Sequence, residues 1–349
     1  MDHEGDLSAL LANPDFFPLR IDQQRRAVAF VQMSRDTFRR SSFLDHRVIL
    51  AGPAARLVAE EELFARLAPG PAGGAVHFIL HGAFCGSTLL ARHFEELPRC
   101  LVLKEPELLA QIARLGNADP AGVLRARAWG DWFDAALALL SRADPDDVAV
   151  VIKAPDQFNW VASQLLDRQR TAKVIFLCAP LRVFLLSALK SQERRAWIRS
   201  RARGLRLQLA QLPLRDGLVA EELSDAQLGA ALWLLNAFLC SNLLSRPDSQ
   251  RILVMNSEEL IGRPQETFRG AVEFLGLTRD PDICGALGRF RPIDYYSKEP
   301  DVPVRFDATT RGATLAEIEQ RLGHEVDAAT EWAARMSADR LLRSPFPFE

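Results

Sequence analysis

The stretch AVHFILHGAFCGSTLLAR, residues 75–92, changes character twice. Val76 to Leu80 is a short apolar run rich in β-branched and aromatic residues, the pattern of a strand buried on both faces. His81 to Gly86 interrupts it. From Ser87 onward Leu89, Leu90, Phe94 and Leu97 fall at the spacing of a helix with one face packed inward. A strand, a glycine-bearing loop and a helix start together form an anion cradle. The loop and first-turn amides have no partners within the helix, and the helix macrodipole adds positive potential. Gly82 and Gly86 let the backbone approach an anion, and Ser87 and Thr88 offer hydroxyls.

Four more apolar segments follow: Cys100 to Leu103, Val148 to Ile152, Lys173 to Leu177 and Arg251 to Met255. They alternate with helical patterns at 106–114, 121–142, 156–170, 181–202, 223–245 and 265–275. The alternation predicts an α/β fold of three layers, with a central parallel sheet of about five strands and a working crevice outside the strands' carboxyl ends. Those ends read HGAFCGST, KEPE, KAPD, CAPLR and NSEEL.

Residues 1–74 read as a helical N-terminal extension ahead of a main domain spanning 75–349. Ile21 to Arg40 has the pattern of an amphipathic helix, Leu57 to Leu67 that of a second, and APGPAGG at 68–74 that of a flexible joint. Beyond Gly276 the segment 291–307 is expected to be a long ordered loop, and Thr314 to Leu342 a closing helix.

Composition narrows the function classes. At 349 residues, with 48% hydrophobic and 25% charged residues and a net charge of -2, the chain has no global affinity for nucleic acid or an acidic membrane surface. The five scattered cysteines contain no CxxC pair, which argues against a disulfide framework or zinc site and fits a reducing cytoplasm. The acidic opening MDHEGDLSALLANPD lacks the apolar core of a secretory signal. ALWLLNAFLCSNLL, interrupted by Asn236 and Asn242, is shorter than the ~20 residues of a membrane span. No span, no metal and no nucleic-acid partner are expected.

The loop is not that of a nucleoside triphosphatase. GxxxxGK[ST] needs one more residue between the glycines and a lysine where Ser87 stands. A cysteine phosphatase needs an arginine six positions after Cys85, where the chain has Ala91. Cys85 reads either as a lowered-pKa thiolate or, more commonly, as a small buried filler.

The run FILHGAFCGSTLLAR resembles the phosphosulfate-binding loop of the sulfotransferases, particularly bacterial members. KEPELL after the second strand, KAP after the third, CAPLR leading into a helix with Ser187, and RILVMNSEELIGRPQETFRGAVEFLGL follow in that family's order, over roughly residues 75–300. The resemblance implies a P-loop α/β domain and, as donor, 3'-phosphoadenosine 5'-phosphosulfate. It also implies a sulfate ester or sulfamate formed on a small-molecule or glycan acceptor. The amides of Gly82, Ala83, Phe84, Cys85, Gly86, Ser87 and Thr88 would hold the 5'-phosphosulfate, Arg182 and Ser187 the 3'-phosphate, and Glu105 would be the acceptor's base. The chain departs from the family at Phe84, where a lysine or arginine is usual, and at Cys178 or Ala179, where the fourth strand usually ends in arginine.

Sulfuryl transfer needs a base and cations facing the leaving phosphate. Lys104, Lys153 and His81, all at strand ends, are the candidates beside Glu105. For Lys104 with Glu105 an exposed salt-bridged corner is the rival reading, and for His81 a structural histidine. A degenerate nucleotide-binding or anion-binding protein and a kinase-like phosphotransferase are the rival functions. KSQERRAWIRSRARGLR, residues 190–206, sets one carboxylate, Glu193, among many basic residues around Trp197. It reads as a nucleotide or anionic-acceptor site, or as a solvated helix face.

Overall fold

The N-terminal region is built on strands as well as helices. The computed structural model describes residues 3–48, 55–67, 75–117, 126–214, 222–293 and 308–337. Helix α1 (His3–Ala12) leads into β1 (Phe16–Asp22), β2 (Ala27–Gln32), the short helix α2 (Arg35–Arg40), β3 (Arg56–Ala59) and α3 (Glu60–Arg66). The three strands form an antiparallel sheet in the order β1-β2-β3. The helix expected over 21–40 is therefore replaced by a hairpin and one short helix. Ala27 to Val31 are buried at every position, so the run has no polar face whose spacing could distinguish strand from helix. Arg25 and Arg26 lie in the turn, where Arg26 takes a left-handed φ of 48°. Ser34 caps α2 by accepting from the Thr37 amide. The helix expected over 57–67 begins only at Glu60. The joint at 68–74 lies outside the described residues.

Main-chain and side-chain bonds fasten this region to the rest. Gln111 brackets Ile21, accepting from its amide at 2.7 Å and donating to its carbonyl at 2.9 Å. The Leu44 amide donates to Lys104 O at 2.7 Å, and the Glu107 amide donates to Leu44 O at 2.9 Å.

The main sheet uses β4 (Ala75–His81), followed by α4 (Ser87–Glu95), β5 (Cys100–Lys104), α5 (Glu107–Asn117), α6 (Ala126–Leu140) and β6 (Ala149–Lys153). A 3-10 turn at Asp156–Val161, α7 (Ala162–Arg168) and β7 (Val174–Cys178) come next. Then follow α8 (Leu181–Leu189), α9 (Gln192–Gly204), α10 (Arg206–Leu209), α11 (Asp225–Leu244), β8 (Ile252–Asn256), α12 (Ser257–Gly262), α13 (Pro264–Leu275), α14 (Pro281–Arg289) and α15 (Ala308–Met336). The five strands are parallel and run in the order β5-β6-β4-β7-β8. Every residue of β5, β6 and β7 is buried, so both faces of the sheet are covered, as the unbroken apolar runs require. The order reverses at β4, with β6 and β5 on one side and β7 and β8 on the other. The crevice of such a sheet opens at that reversal, and the loop 82–86 stands there.

Two expected helices are broken. The one over 156–170 opens with the 3-10 turn after Pro155, and the one over 181–202 is cut at Ser191. That residue is extended (φ -142°, ψ 160°), and its hydroxyl accepts from the Arg194 amide, starting α9 afresh. The apolar helix α11 is long enough to cross a membrane, but 67% of its most apolar window is buried in the fold. It packs against α8, α9 and α15, and a Ser224/Gln227 capping box starts it. Of the loop expected over 291–307, all but 291–293 lies outside the described residues, as does the end of the closing helix beyond 337.

Candidate functional site

The turn out of β4 is held from below. The Gly82 amide donates to Leu177 O at 3.1 Å. The Cys85 thiol, 2% exposed, donates to Gly82 O at 2.9 Å and to Leu177 O at 3.4 Å. Cys85 is thus the buried member of the loop and ties it to β7. Above it the backbone is left-handed twice, at Phe84 (φ 59°) and at Gly86 (φ 80°, ψ 16°), which is the N-cap of α4. For Gly86 that conformation costs little, whereas for Phe84 it costs about 1–2 kcal/mol.

The amides of Ala83, Phe84, Gly86, Ser87 and Thr88 donate to no described residue. A methyl group built on Gly82 or Gly86 would meet nothing within 4 Å. The outer side of the turn is therefore open space lined by donors at the positive end of a helix, the requirement for an oxyanion of phosphate or sulfate size.

Three side chains meet beside the loop. Lys153, 1% exposed, forms an ion pair with Glu105 through Oε1. The same oxygen is 3.8 Å from His81 Nε2. The other ring nitrogen, Nδ1, lies 2.9 Å from Gly82 O. A carbonyl oxygen can only accept, so Nδ1 carries a proton there, and Nε2 is the ring nitrogen on the Glu105 side. Glu105 itself is left-handed (φ 49°), with its amide donating to Lys153 O at 2.7 Å. Two of the four left-handed non-glycine residues among those described, Phe84 and Glu105, thus flank this corner, a clustering of strain typical of functional sites. The ring of Phe43, from the N-terminal region, lies 5.7 Å from the Lys153 ammonium.

Lys104 is not part of this cluster. Its side chain is 0% exposed. It donates to Phe38 O at 2.8 Å and Arg39 O at 3.2 Å, and it forms an ion pair with Glu95 of α4. The strand ends at Lys104 and the chain turns left-handed at Glu105, so the two side chains part, Lys104 towards α4 and the N-terminal region and Glu105 towards Lys153. Nor are the two an exposed corner. Burial pulls the Lys104 ammonium down to about 8 and pushes the Glu95 carboxyl up. Lys104 is a structural tie between the N-terminal region and α4.

Arg182 is likewise engaged away from the loop. It pairs with Glu319 and, at 2.6 Å, with Asp327, both on α15. The Ser187 carbonyl accepts from Arg194 Nη1 at 2.5 Å. Phe84 packs edge-on to Trp197, with ring centroids 5.0 Å apart, and 6.1 Å from Phe184.

Two groups at the site escaped the sequence reading. Arg194 lies over the Phe84 ring, 4.4 Å from its centroid; it belongs to the basic run 190–206, but nothing in a linear run singles it out. Asn159 donates to His81 O at 2.9 Å and to Asn236 Oδ1 at 2.7 Å, so the asparagine interrupting the apolar helix α11 helps hold the end of β4. From Ala83 a cleft runs outward past Asp156, Trp160, Trp197 and Arg201. Burial raises the Asp156 carboxyl above its usual range and Glu105 adds to the rise, against the opposing pull of Arg201.

No family model matches the chain, and no curated protein matches it. Among solved structures it is similar to the sulfotransferase domain from the curacin biosynthetic pathway, at 15% identity and a TM-score of 0.38, over 78% of this chain and 96% of that one. It is similar to a sulfotransferase from Alicyclobacillus acidocaldarius, at 16% identity and a TM-score of 0.37, over 78% and 100%. A sulfotransferase from Mycobacterium tuberculosis is similar at 13% identity and a TM-score of 0.39, over 74% and 78%.

Proposed function

We propose that this chain is a sulfotransferase-like enzyme that moves a sulfuryl group from 3'-phosphoadenosine 5'-phosphosulfate to a hydroxyl or amine of a small-molecule or glycan acceptor. One observation carries the reading: His81 Nδ1 is 2.9 Å from Gly82 O, at the start of the open-amide turn, while its Nε2 is 3.8 Å from the Glu105 carboxylate. The anion cradle and a candidate base are thus joined through one imidazole at the carboxyl edge of the sheet.

The residues fit such a donor. The amides of Ala83, Phe84, Gly86, Ser87 and Thr88 donate to no described residue, and the space beside Gly82 and Gly86 is open, so charge-assisted bonds from these amides would hold the phosphosulfate oxygens. Glu105 takes the proton from the acceptor hydroxyl as the acceptor oxygen bonds to sulfur. The bond from sulfur to the bridging oxygen breaks, and its electron pair leaves on the 5'-phosphate. The turn amides, the helix start and Arg194 meet that charge. Lys153 holds the Glu105 carboxylate in place. Arg182, paired with Glu319 and Asp327, must give up carboxylate partners to bind a 3'-phosphate.

The packing of Phe84 against Trp197 and Phe184 favours a second reading, a protein that binds the nucleotide without chemistry. Incubation with 3'-phosphoadenosine 5'-phosphosulfate and a panel of hydroxyl and amine acceptors separates the two. The enzyme reading expects 3'-phosphoadenosine 5'-phosphate and sulfated acceptor in equal amounts, both lost in Glu105→Gln. Saturable nucleotide binding with no product supports the binder, and magnesium-dependent ATP turnover supports a phosphotransferase.

A further inference from the structure

The cleft leaving the loop widens between α9–α10 and the Asp156–Val161 turn to about 500 Å³, within the range of small-molecule sites. Its inner end is shared with Ala83 and Asp156, next to the candidate base. Its walls at the wide end are Trp197, Leu205 and Leu207, and Leu207 is 40% exposed. Around them stand Arg114, Arg201, Arg203 and Arg206.

These arginines differ in what they already hold. Arg114 has Glu107 at 2.5 Å, and Arg201 has Asp156 at 2.8 Å and Gln157 at 2.7 Å. Arg203 and Arg206 are exposed and form no ion pair with any described residue. Two further donors in the cleft are buried without acceptors: Gln208 Nε2, on a side chain 1% exposed, and Arg201 Nε. A buried donor left unbonded costs about 1–3 kcal/mol, so such groups call for a partner. Unused donors, two cations with no carboxylate partner among the described residues and an apolar wall together describe an occupant with an apolar body and an anionic end.

We infer that this cleft receives the acceptor and selects an organic anion, an aryl or alkyl hydroxy compound carrying a carboxylate, with Arg203 and Arg206 as specificity-determining residues. The inference rests on the sulfotransferase-like reading for what happens at the hydroxyl, but not for the binding itself. Trp197 and the leucines cover the apolar body, Gln208 and Arg201 donate to its oxygens, and Arg203 and Arg206 meet the carboxylate.

The test is calorimetric titration of the full chain with para-hydroxyphenylpropionate and with its uncharged primary amide. The carboxylate is expected to bind about tenfold more tightly, roughly 1.4 kcal/mol. In Arg203→Gln/Arg206→Gln, whose exposed positions leave the core untouched, the difference should shrink to about twofold or less. Equal affinities in the native chain, no saturable binding of the carboxylate, or a preference that survives in the double variant would each overturn the inference. So would saturation by a single-stranded oligonucleotide in its place. Titration of 3'-phosphoadenosine 5'-phosphate into the same samples reports separately on the donor. Its failure alongside intact carboxylate discrimination removes the proposed function and leaves the cleft as an organic-anion site.

Discussion

The guanidinium of Arg194 lies over the ring of Phe84, its central carbon 4.4 Å from the ring centroid. The resemblance leads one to expect a cation at position 84 itself. Here a cation from α9 is stacked on the aromatic side chain occupying that position, an arrangement worth about 0.5–2 kcal/mol. The positive charge reaches the loop through space instead of along the chain.

Arg194→Leu should therefore weaken binding of 3'-phosphoadenosine 5'-phosphate about tenfold and lower turnover at least as much. Arg194→Lys should recover only part of the loss, because an ammonium cannot lie flat on the ring and reach the Ser187 carbonyl in the fork geometry of arginine. Calorimetry and initial rates on the two variants check this, and unaltered binding in Arg194→Leu removes Arg194 from the site.

Gly86→Val tests the cradle. A β-branched residue at φ 80° is strained by about 1–2 kcal/mol, although its Cβ would meet nothing within 4 Å. The damage is to the shape of the turn and not to packing. The melting temperature should drop by only a few degrees, while nucleotide binding disappears. Gly82→Ala, which needs no left-handed backbone, should reduce affinity without a comparable drop in melting temperature.

Glu105 and Lys104 are neighbours in the chain with opposite expectations. Glu105→Gln should leave nucleotide affinity within about twofold and reduce turnover by about a hundredfold or more. Equal loss of both quantities contradicts its role as base. Lys104→Met leaves the buried Glu95 without one of its cations and should destabilise the chain by about 3 kcal/mol. Turnover per folded molecule should be unaffected. Thermal melts set beside kinetics distinguish the two residues.

Most of the parallel sheet was legible in the sequence. Strands buried on both faces appear as uninterrupted apolar runs, and all five begin and end within a residue or two of those runs. The same property concealed the N-terminal hairpin: Ala27 to Val31, buried throughout, has no polar spacing to reveal its period. Strand-end position pointed to Glu105, Lys153 and His81, which the fold brings together at the carboxyl edge of the sheet. It could not exclude Lys104, because the groups that draw its ammonium away, the Phe38 and Arg39 carbonyls and Glu95, come from other elements that only the fold brings beside it. Arg194 was hidden by the break at Ser191, which restarts the helix and resets which arginines face the loop.

Stability should fall below neutral pH in a defined window. Burial pulls His93 down to about 4, and burial together with Lys173 does the same for His77. Both are neutral in the fold and take up a proton only on unfolding, where the pKa is about 6.5. The unfolded chain therefore binds more protons between these values. The stabilisation is complete above about pH 6.5 and is lost as pH falls towards 4, at roughly 1–2 kcal/mol per histidine by about pH 5. Burial raises Glu95 and Asp156, which opposes the trend in their own range. Comparison of native chain with His93→Phe isolates the histidine contribution. Melting temperatures from about pH 7 to 5 should fall less steeply in the variant, and parallel curves would contradict the assignment.

The central claim is that bare amides at the turn after β4 hold the phosphate end of an adenine nucleotide that also carries a 3'-phosphate. Calorimetric titration of the native chain with 3'-phosphoadenosine 5'-phosphate, and in parallel with ATP, tests this directly. The account predicts saturable binding of the first, at least about tenfold tighter than ATP and absent in Gly86→Val. Equal or tighter binding of ATP, or no binding of the 3'-phosphorylated nucleotide, would contradict it.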